Sequence, residues 1–513
     1  MTELLTSAQM RAIEQSAMAA GRVTGAGLMD RAARGVVAAI FDRWPDFRAS
    51  PRRAVILAGP GNNGGDGYVV GRLLAWAGWQ VAAFATAEPA TPDAIDARAA
   101  FRAAGGTLPD RPLDWDDLQG APLVIDAIFG AGLARDVAPG VWGMLSMAQE
   151  RGCPLVAIDI PSGLCADSGR IRSPSGWING PVDLTVTFQR PRPGHHLEPA
   201  SSFCGTLVVA DIGLDRELDA LLRGPDADAV IDLTRAEGAL AKDGGHKYAH
   251  GHALILAGGP GEGGAARLSA RGALRIGAGL VTVACPLSAL AENSARLDTI
   301  MLRPLHDGAA LSRLLEDPRY NAICLGPGIG LDRARDLAPV ALRSGRAVVL
   351  DANALSAWEG RPERLFALLH DRCVLTPHGG EFRRLFPDLA ARLAAPAGTG
   401  PAYSKVDATR DAARRAGCTV LFKGADTVIA TPHGRADINS AHYDRAAPWL
   451  ATAGSGDVLA GFITGLLARG FPADQAARSA AFLHVDCARA FGPGLIAEDL
   501  PEALPGVFRS LGL

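Results

Sequence analysis

Lysine is scarce in this chain of 513 residues: only four of its 51 basic residues are lysines, at positions 242, 247, 405 and 423. No polybasic block occurs, and 54 acidic residues bring the formal net charge to −3. A nucleic acid or an anionic membrane surface therefore has no electrostatic support as a partner. No stretch of 18 apolar residues is present, which excludes a membrane-spanning helix. The eight cysteines lie singly, with no Cys-x-x-Cys pair and no Cys/His cluster at zinc spacing. Buried free thiols in a reducing compartment are expected. The opening MTELLTSAQMR has an acidic third residue and no apolar core of signal-peptide length, so a cytoplasmic location is the expectation. The Walker pattern G-x-x-x-x-G-K-[ST] is missing as well, which excludes a P-loop.

What is present is an α/β pattern. Hydrophobic residues make up 48% of the chain, ample for large cores. The length suits two large α/β domains or about three domains of ~150 residues. Residues 1–45 have helical spacing, with Ser7 as the expected N-cap and a second helix from about Gly27. Short apolar runs follow at 54–58, 80–85, 123–126, 155–160, 183–188 and 206–210, several closed by Gly or Asp. Such runs read as buried parallel strands of a doubly wound sheet, with ligands at their carboxyl ends. Residues 215–245 are polar and break the pattern, placing a domain boundary near 222–230. The pattern restarts with runs at 229–233, 253–257, 280–284, 322–325, 347–350, 373–376, 419–422 and 428–430. The fold class is thus α/β, with domains at 1–222 and 226–513. The segments AVILAGPGNNGGDG and ALILAGGPGEGGAA look alike, a likeness that strand-then-glycine-loop architecture explains without internal duplication.

In the first half, Gly59-Pro-Gly61-Asn62-Asn63-Gly64 matches G-x-G-x-x-G after a strand, a weak sign of a Rossmann dinucleotide site. No acidic residue stands clearly at the end of the next strand. The loop continues Asn62-Asn63-Gly64-Gly65-Asp66, whose amides and carboxylate suit a polar ligand or an alkali cation better than a bare pyrophosphate. A tight turn with left-handed Asn is the structural alternative. Asp126, before the loop from Gly130, and Asp159, before Pro161-Ser162-Gly163, end two further strands. Each could simply cap a helix. In a parallel sheet, however, all three loops share one edge and converge.

These segments, LAGPGNNGGDGYVVGRLL, VIDAIFGAGL and AIDIPSGL, with SAQMRAIEQSAM before them, resemble the NAD(P)H-hydrate epimerase family over about residues 1–215. The resemblance implies a Rossmann-like doubly wound domain. It implies that Asn62, Asn63, Gly64, Gly65, Asp66, then Gly130, Ala131, Gly132, Leu133, Ala134, Arg135, Asp136, and finally Asp159 bind the hydrated nucleotide. A potassium ion (K+) would sit on Asn63, Asp126 and Ser162. Asp159 is also the candidate catalytic group, either as epimerisation base or as a binding residue only.

In the second half, Lys423-Gly424-Ala425-Asp426-Thr427 ends a strand, and Gly454-Ser455-Gly456-Asp457 opens a helix some 25 residues later. Free N–H groups at such a start form an anion hole, and Asp457 can take a proton from an alcohol beside the phosphate. A helix-capping Asp is the bland alternative. The pairing resembles the ribokinase-like fold. With LGPGIG, DANAL and TPHGGEFRRL in the same order, it resembles ADP/ATP-dependent NAD(P)H-hydrate dehydratase over about 230–513. Tyr248, Gly379 and Ala446-Ala447-Pro448 depart from the family text but remove no expected functional group. The resemblance implies that Lys423, Gly424, Ala425, Asp426, Thr427 and Gly456 hold ADP or ATP, with Mg2+ carried on the nucleotide. Ala266, Gly328, His378 and Asp457 would contact the hydrate, Asp457 as general base. His378 and Asp351 also admit structural readings at strand ends.

The expectation is therefore a bifunctional enzyme, isomerase and lyase, acting on NADHX and NADPHX with ADP or ATP. Two alternatives stay open at this stage: a ribokinase-like small-molecule kinase with an unrelated N-terminal nucleotide-binding domain, and a non-catalytic nucleotide sensor. ADP against ATP preference, NADHX against NADPHX preference, and homo-oligomeric state are not decided by the residues.

Overall fold

The computed structural model describes residues 2–110, 113–117, 120–173, 180–225, 227–242 and 244–513. The chain divides into two units, Met1–Ile231 with Pro396–Ser404, and Asp232–Ala395 with Lys405–Leu513. Residue 226, the expected start of the second domain, lies outside the described residues.

The first unit opens with α1 (Ser7–Ala19) and α2 (Gly25–Arg43). Thr6, not Ser7, caps α1: its hydroxyl accepts the Gln9 N–H at 3.2 Å while the Gln9 side chain accepts the Thr6 N–H at 2.9 Å. This reciprocal box satisfies two otherwise orphaned donors, leaving the Ser7 hydroxyl to donate to Asp167. Helix α2 starts two residues before Gly27 because Thr24 caps it. Then follow β1 (Arg53–Ala58), α3 (Asn62–Trp76), β2 (Gln80–Ala85), β3 (Leu123–Ala127), β4 (Leu155–Ile158), β5 (Leu184–Phe188) and β6 (Thr206–Ala210). They form one parallel sheet in the order β2-β1-β3-β4-β5-β6. Alternate residues of β1 enter opposite cores: Ala54, Ile56 and Ala58 on one face, Val55 and Leu57 on the other. Helix α3 packs on the first face, whereas the chain after β3 (Ile128, Leu133, Val137) covers the second. The connections therefore diverge between β1 and β3, and a crevice opens at their carboxyl ends.

The second unit carries β7 (His252–Leu256), α4 (Gly263–Arg275), β8 (Leu280–Cys285), β9 (Met301–Pro304), β10 (Ala322–Leu325), β11 (Ala347–Leu350), β12 (Cys373–Leu375), β13 (Thr419–Phe422), β14 (Asp426–Ala430), β15 (Ala436–Ser440), α5 (Ser455–Ala468) and α6 (Ala473–Phe491). The order is β15-β14-β13-β12-β11-β10-β7-β8-β9. Pairing is parallel from β9 to β13 and antiparallel through β14 and β15. Here the switch point lies between β7 and β10. Helices α4 and α5 cross so closely that a Cβ on Gly461 would lie 2.1 Å from the Ser269 carbonyl oxygen. Only glycine allows that approach. All eight cysteines are buried free thiols. Among the described residues no helix is long and apolar enough to cross a membrane.

Candidate active sites

In the first unit, Asn62–Asp66 is not a loop: these residues form the first turn of α3, with Gly61 as an N-cap that offers no side chain. The glycines are needed for close approach rather than for turning. A Cβ on Gly64 would meet the Gly59 carbonyl oxygen at 1.9 Å, and one on Gly67 would meet the Ala127 Cβ at 2.5 Å. The helix start thus presses against β1 and β3, leaving its unbonded N–H groups at the crevice. Asn62 Oδ1 accepts the Thr91 hydroxyl at 2.6 Å. Asn63 Nδ2 is buried and, among the described residues, has no hydrogen-bond partner. Desolvation, with Asp159 and Glu14 nearby, holds the Asp66 carboxyl well above the usual carboxylate range.

Asp126 and Ser162 meet because β3 and β4 are neighbours. The Ser162 hydroxyl donates to Asp126 Oδ1 at 2.6 Å and accepts the Phe129 N–H at 2.9 Å, and the Ser162 N–H donates to Asp126 Oδ2 at 2.8 Å. Ile128 N–H adds a third donor to the carboxylate at 3.2 Å. Both residues are buried, and among the described residues no cation pairs with Asp126. Burial pushes its carboxyl up to about 6. Asn63 lies beside Gly130, near Asp159. A Cβ on Gly130 would sit 2.9 Å from both Asn63 Oδ1 and Asp159 Oδ2, so these two polar atoms flank Gly130.

Asp159 follows β4 with φ 68°, in the left-handed region that ordinary residues avoid. Its carboxylate accepts the Ala131 N–H at 2.6 Å and the Thr187 hydroxyl at 3.0 Å. Of the neighbouring loop, Gly130, Ala131 and Gly132 face this carboxylate or solvent, whereas the Leu133 side chain is buried in the core. Ala134, Arg135 and Asp136 are exposed. Leu133 can therefore contribute main chain alone to a ligand. His195, Arg192, Thr187 and Glu14, all near Asp159, escape sequence reasoning because no motif marks them.

In the second unit, Gly454 (φ 89°) caps α5, so Ser455, Gly456 and Asp457 form its first turn. A cavity of about 570 Å³ opens beside it, lined by Lys423, Gly424, Ala425, Thr427, Gly456 and apolar residues such as Leu459 and Val485. That volume suits a nucleotide. The Thr427 hydroxyl closes the strand-end turn, donating to Gly424 O at 2.7 Å and accepting Gly424 N–H at 3.1 Å. Asp426 does not line the cavity; its buried carboxylate pairs with Lys405 Nζ at 2.5 Å. His484, buried and with Nε2 2.9 Å from Ser455 O, also lines it.

Lys423 joins the two halves of this site. Its ammonium donates to buried Asp351 at 2.6 Å, lies 3.8 Å from buried Glu381, and would be 3.5 Å from a Cβ on Gly456. Burial alone would lower the Lys423 ammonium, but Asp351 and Glu381 outweigh it and hold it above its ordinary value. Asp457 rises to about 6, through desolvation first and then the like charges of Asp351 and Glu381, against the opposing pull of Lys423. His378 is exposed and caps the short helix Gly379–Leu385: its Nδ1 accepts the Gly380 N–H at 2.9 Å, and its own N–H donates to Glu381. Gly328 takes φ 63° close to the Glu262 main chain. Ala266 is wholly buried in the core, so no side-chain contact with a ligand is open to it.

Together these features define an α/β enzyme of two parts, each with buried carboxylates gathered at the carboxyl ends of its parallel strands, the second beside a cavity of nucleotide size. The family model described as YjeF-related protein N-terminus matches residues 25–194, and the one described as NAD(P)H-hydrate dehydratase matches 253–503. The chain is 36% identical to the bifunctional NAD(P)H-hydrate repair enzyme Nnr of Moorella thermoacetica, over 99% of this chain and 97% of that one. It is 30% identical to that of Coxiella burnetii, over 98% of each. The ADP/ATP-dependent NAD(P)H-hydrate dehydratase of Bacillus subtilis, co-crystallised with ATP and Mg2+, aligns at 26% identity and a TM-score of 0.43, over 54% of this chain and 94% of that one. The chain belongs to the family of bifunctional NAD(P)H-hydrate repair enzymes.

Proposed function

We propose that the first unit interconverts the epimers of NADHX and NADPHX, and that the second dehydrates the S form to NADH or NADPH with ADP or ATP. The observation that carries this reading is that Lys423 and Gly456 line one nucleotide-sized cavity, with Asp457 next to Gly456 in the same helical turn and within the field of the Lys423 ammonium. Hydration of the nicotinamide ring creates a hydroxylated stereocentre, so two epimers arise, and a stereospecific dehydratase clears only one. An epimerase on the same chain supplies the other.

Hydroxide is a poor leaving group. Asp457 removes the hydroxyl proton as the alcohol oxygen takes the terminal phosphoryl of ADP or ATP, releasing AMP or ADP. Phosphate then leaves with the bonding electrons while the adjacent ring carbon gives up a proton, restoring the double bond. The α5 N-terminus and Lys423 stabilise the phosphoryl oxygens. Asp351 and Glu381 are occupied with Lys423, so Mg2+ would be held through the nucleotide phosphates and water, where it would neutralise their charge. Gly424, Ala425 and Thr427 line the nucleotide; Gly328, His378 and Asp457 face the hydrate, and Asp426 acts through its turn.

In the first unit the α3 start from Asn62 to Asp66, the main chain from Gly130 to Asp136, and Asp159 hold the damaged nucleotide. Asp126 and Ser162, with Asn63 Oδ1 beside Gly130, would offer oxygen donors suited to K+, which would supply fixed positive charge beside the substrate. Asp126→Ala should weaken epimer binding and leave dehydration of the S epimer unchanged. The overall reading is tested by incubating the protein with mixed NADHX epimers, with and without ADP, and following absorbance at about 340 nm, the reduced nicotinamide band. ADP-independent recovery, or recovery stopping near the S fraction, would overturn it.

A further inference from the structure

Every polar main-chain and side-chain group of Asp159 is tied down. Its N–H donates to Val186 O at 2.8 Å, and its carboxylate is held by Ala131 and Thr187. Its carbonyl lies 2.8 Å from Nε2 of His195, a fully buried residue 36 positions along the chain. The direction of that bond is set by the other ring nitrogen. His195 Nδ1 accepts the Arg192 N–H at 2.8 Å, so the ring proton resides on Nε2 and is donated to Asp159. The short 3₁₀ turn Pro193–His196 carries the ring. Arg192 anchors that turn, its guanidinium donating to Arg190 O at 3.0 Å and to Phe188 O at 3.4 Å. A left-handed Asp is retained only where its surroundings over-determine it, and here the segment after β5 supplies that constraint.

We propose that His195 is a positioning residue of the epimerase: its Nε2–H bond to the Asp159 carbonyl maintains the left-handed turn that directs the Asp159 carboxylate toward Gly130 and Asn63. This rests on the reading of the first unit as an epimerase with Asp159 in its site. Both ring nitrogens are committed to main chain, so His195 transfers no proton itself. Burial holds its imidazole neutral, with its titration pushed down to about 4, and no limb of the rate profile in the working range belongs to it.

The test compares His195→Gln, His195→Asn and Asp159→Asn in the full-length protein. Dehydration of the S epimer on the same preparations reports that the chain is folded. A Gln amide reaches the Asp159 carbonyl as a donor, whereas the shorter Asn amide retains at most the contact with Arg192. The expected result is an epimerase kcat about 10- to 100-fold lower for His195→Asn, with KM nearly unchanged and the pH profile unaltered in shape. His195→Gln should recover most of that loss. Equal epimerase activity in wild type and His195→Asn would overturn the proposal, as would the loss of a pH limb in either His195 variant or equal impairment of both. Unchanged epimerisation by Asp159→Asn would instead defeat the underlying assignment of Asp159 to the site, a separate result from any His195 outcome.

Discussion

A carboxylate acts as a general base only in its ionised form, and the surroundings of Asp457 make that form costly. Desolvation and the charges of Asp351 and Glu381 place it at about 6. Dehydratase kcat/KM for S-NADHX should accordingly fall as pH drops through about 6 and level off above it. Asp457→Asn should lose ~10²–10⁴-fold of the dehydratase rate while epimerisation survives. The same shift has a consequence for stability. A carboxyl raised in the folded state binds its proton more tightly there than in the unfolded chain. Its penalty is therefore absent below the unfolded value near 3.8, grows through about 6, and is constant above. Asp457→Asn should raise Tm at pH 7, by up to about 2 kcal/mol of stability, and leave it unchanged near pH 3.5. An equal gain at both pH values would show that packing, not charge burial, is responsible.

Elements decide where such residues end up, and Gly461 shows how. The α4–α5 crossing brings the Ser269 hydroxyl to the Asp457 carbonyl at 2.8 Å, so the start of α5 is fixed by the crossing. Gly461→Ala inserts a Cβ against the Ser269 carbonyl and should destabilise the second unit by about 1–3 kcal/mol, with dehydratase kcat falling more than epimerase kcat. Thermal unfolding with both assays on one preparation checks it. Central strands such as Ala322–Leu325 and Ala347–Leu350 were readable from sequence as continuous apolar runs, because parallel strands are buried on both faces. Others were not. Met301–Pro304 is a mostly exposed edge with no alternation, and Ala436–Ser440 buries Asp437 and Asn439, which Arg478, Thr234 and Ala481 satisfy from distant segments. The Asn62–Asp66 stretch reads as a turn because Gly and Asn favour turns, yet its glycines serve close helix–strand packing. The meeting of Asp126 with Ser162 follows once β3 and β4 are known to be neighbours. Lys405 and His195 were not legible, since neither sits in a motif and each reaches its partner only through the folded topology.

At the scale of the whole molecule, the first unit is not continuous in sequence, and this bears on whether its activity can be isolated. Residues 396–404 belong to it, and their main chain accepts hydrogen bonds from Arg172, a wholly buried guanidinium that donates to the carbonyls of Gly398 and Gly400. Gly400 N–H also donates to Ala134 O at 2.9 Å, beside the epimerase loop. A fragment of residues 1–231 retains every residue assigned to the epimerase but removes the acceptors of Arg172. Removing residues 396–404 forfeits these bonds and opens the guanidinium to water. We propose that the fragment folds and interconverts the epimers without nucleotide, yet is about 1–3 kcal/mol less stable than one carrying residues 396–404 on a flexible linker. Arg172→Met separates this from a general loss of contacts. In the bare fragment, where water takes the place of the two carbonyls, it should change stability little; in the full chain it removes satisfied bonds and should lower it. Urea unfolding followed by circular dichroism measures both. A substitution that destabilises fragment and full chain equally would show that residues 396–404 do not serve as the partners of Arg172 in solution.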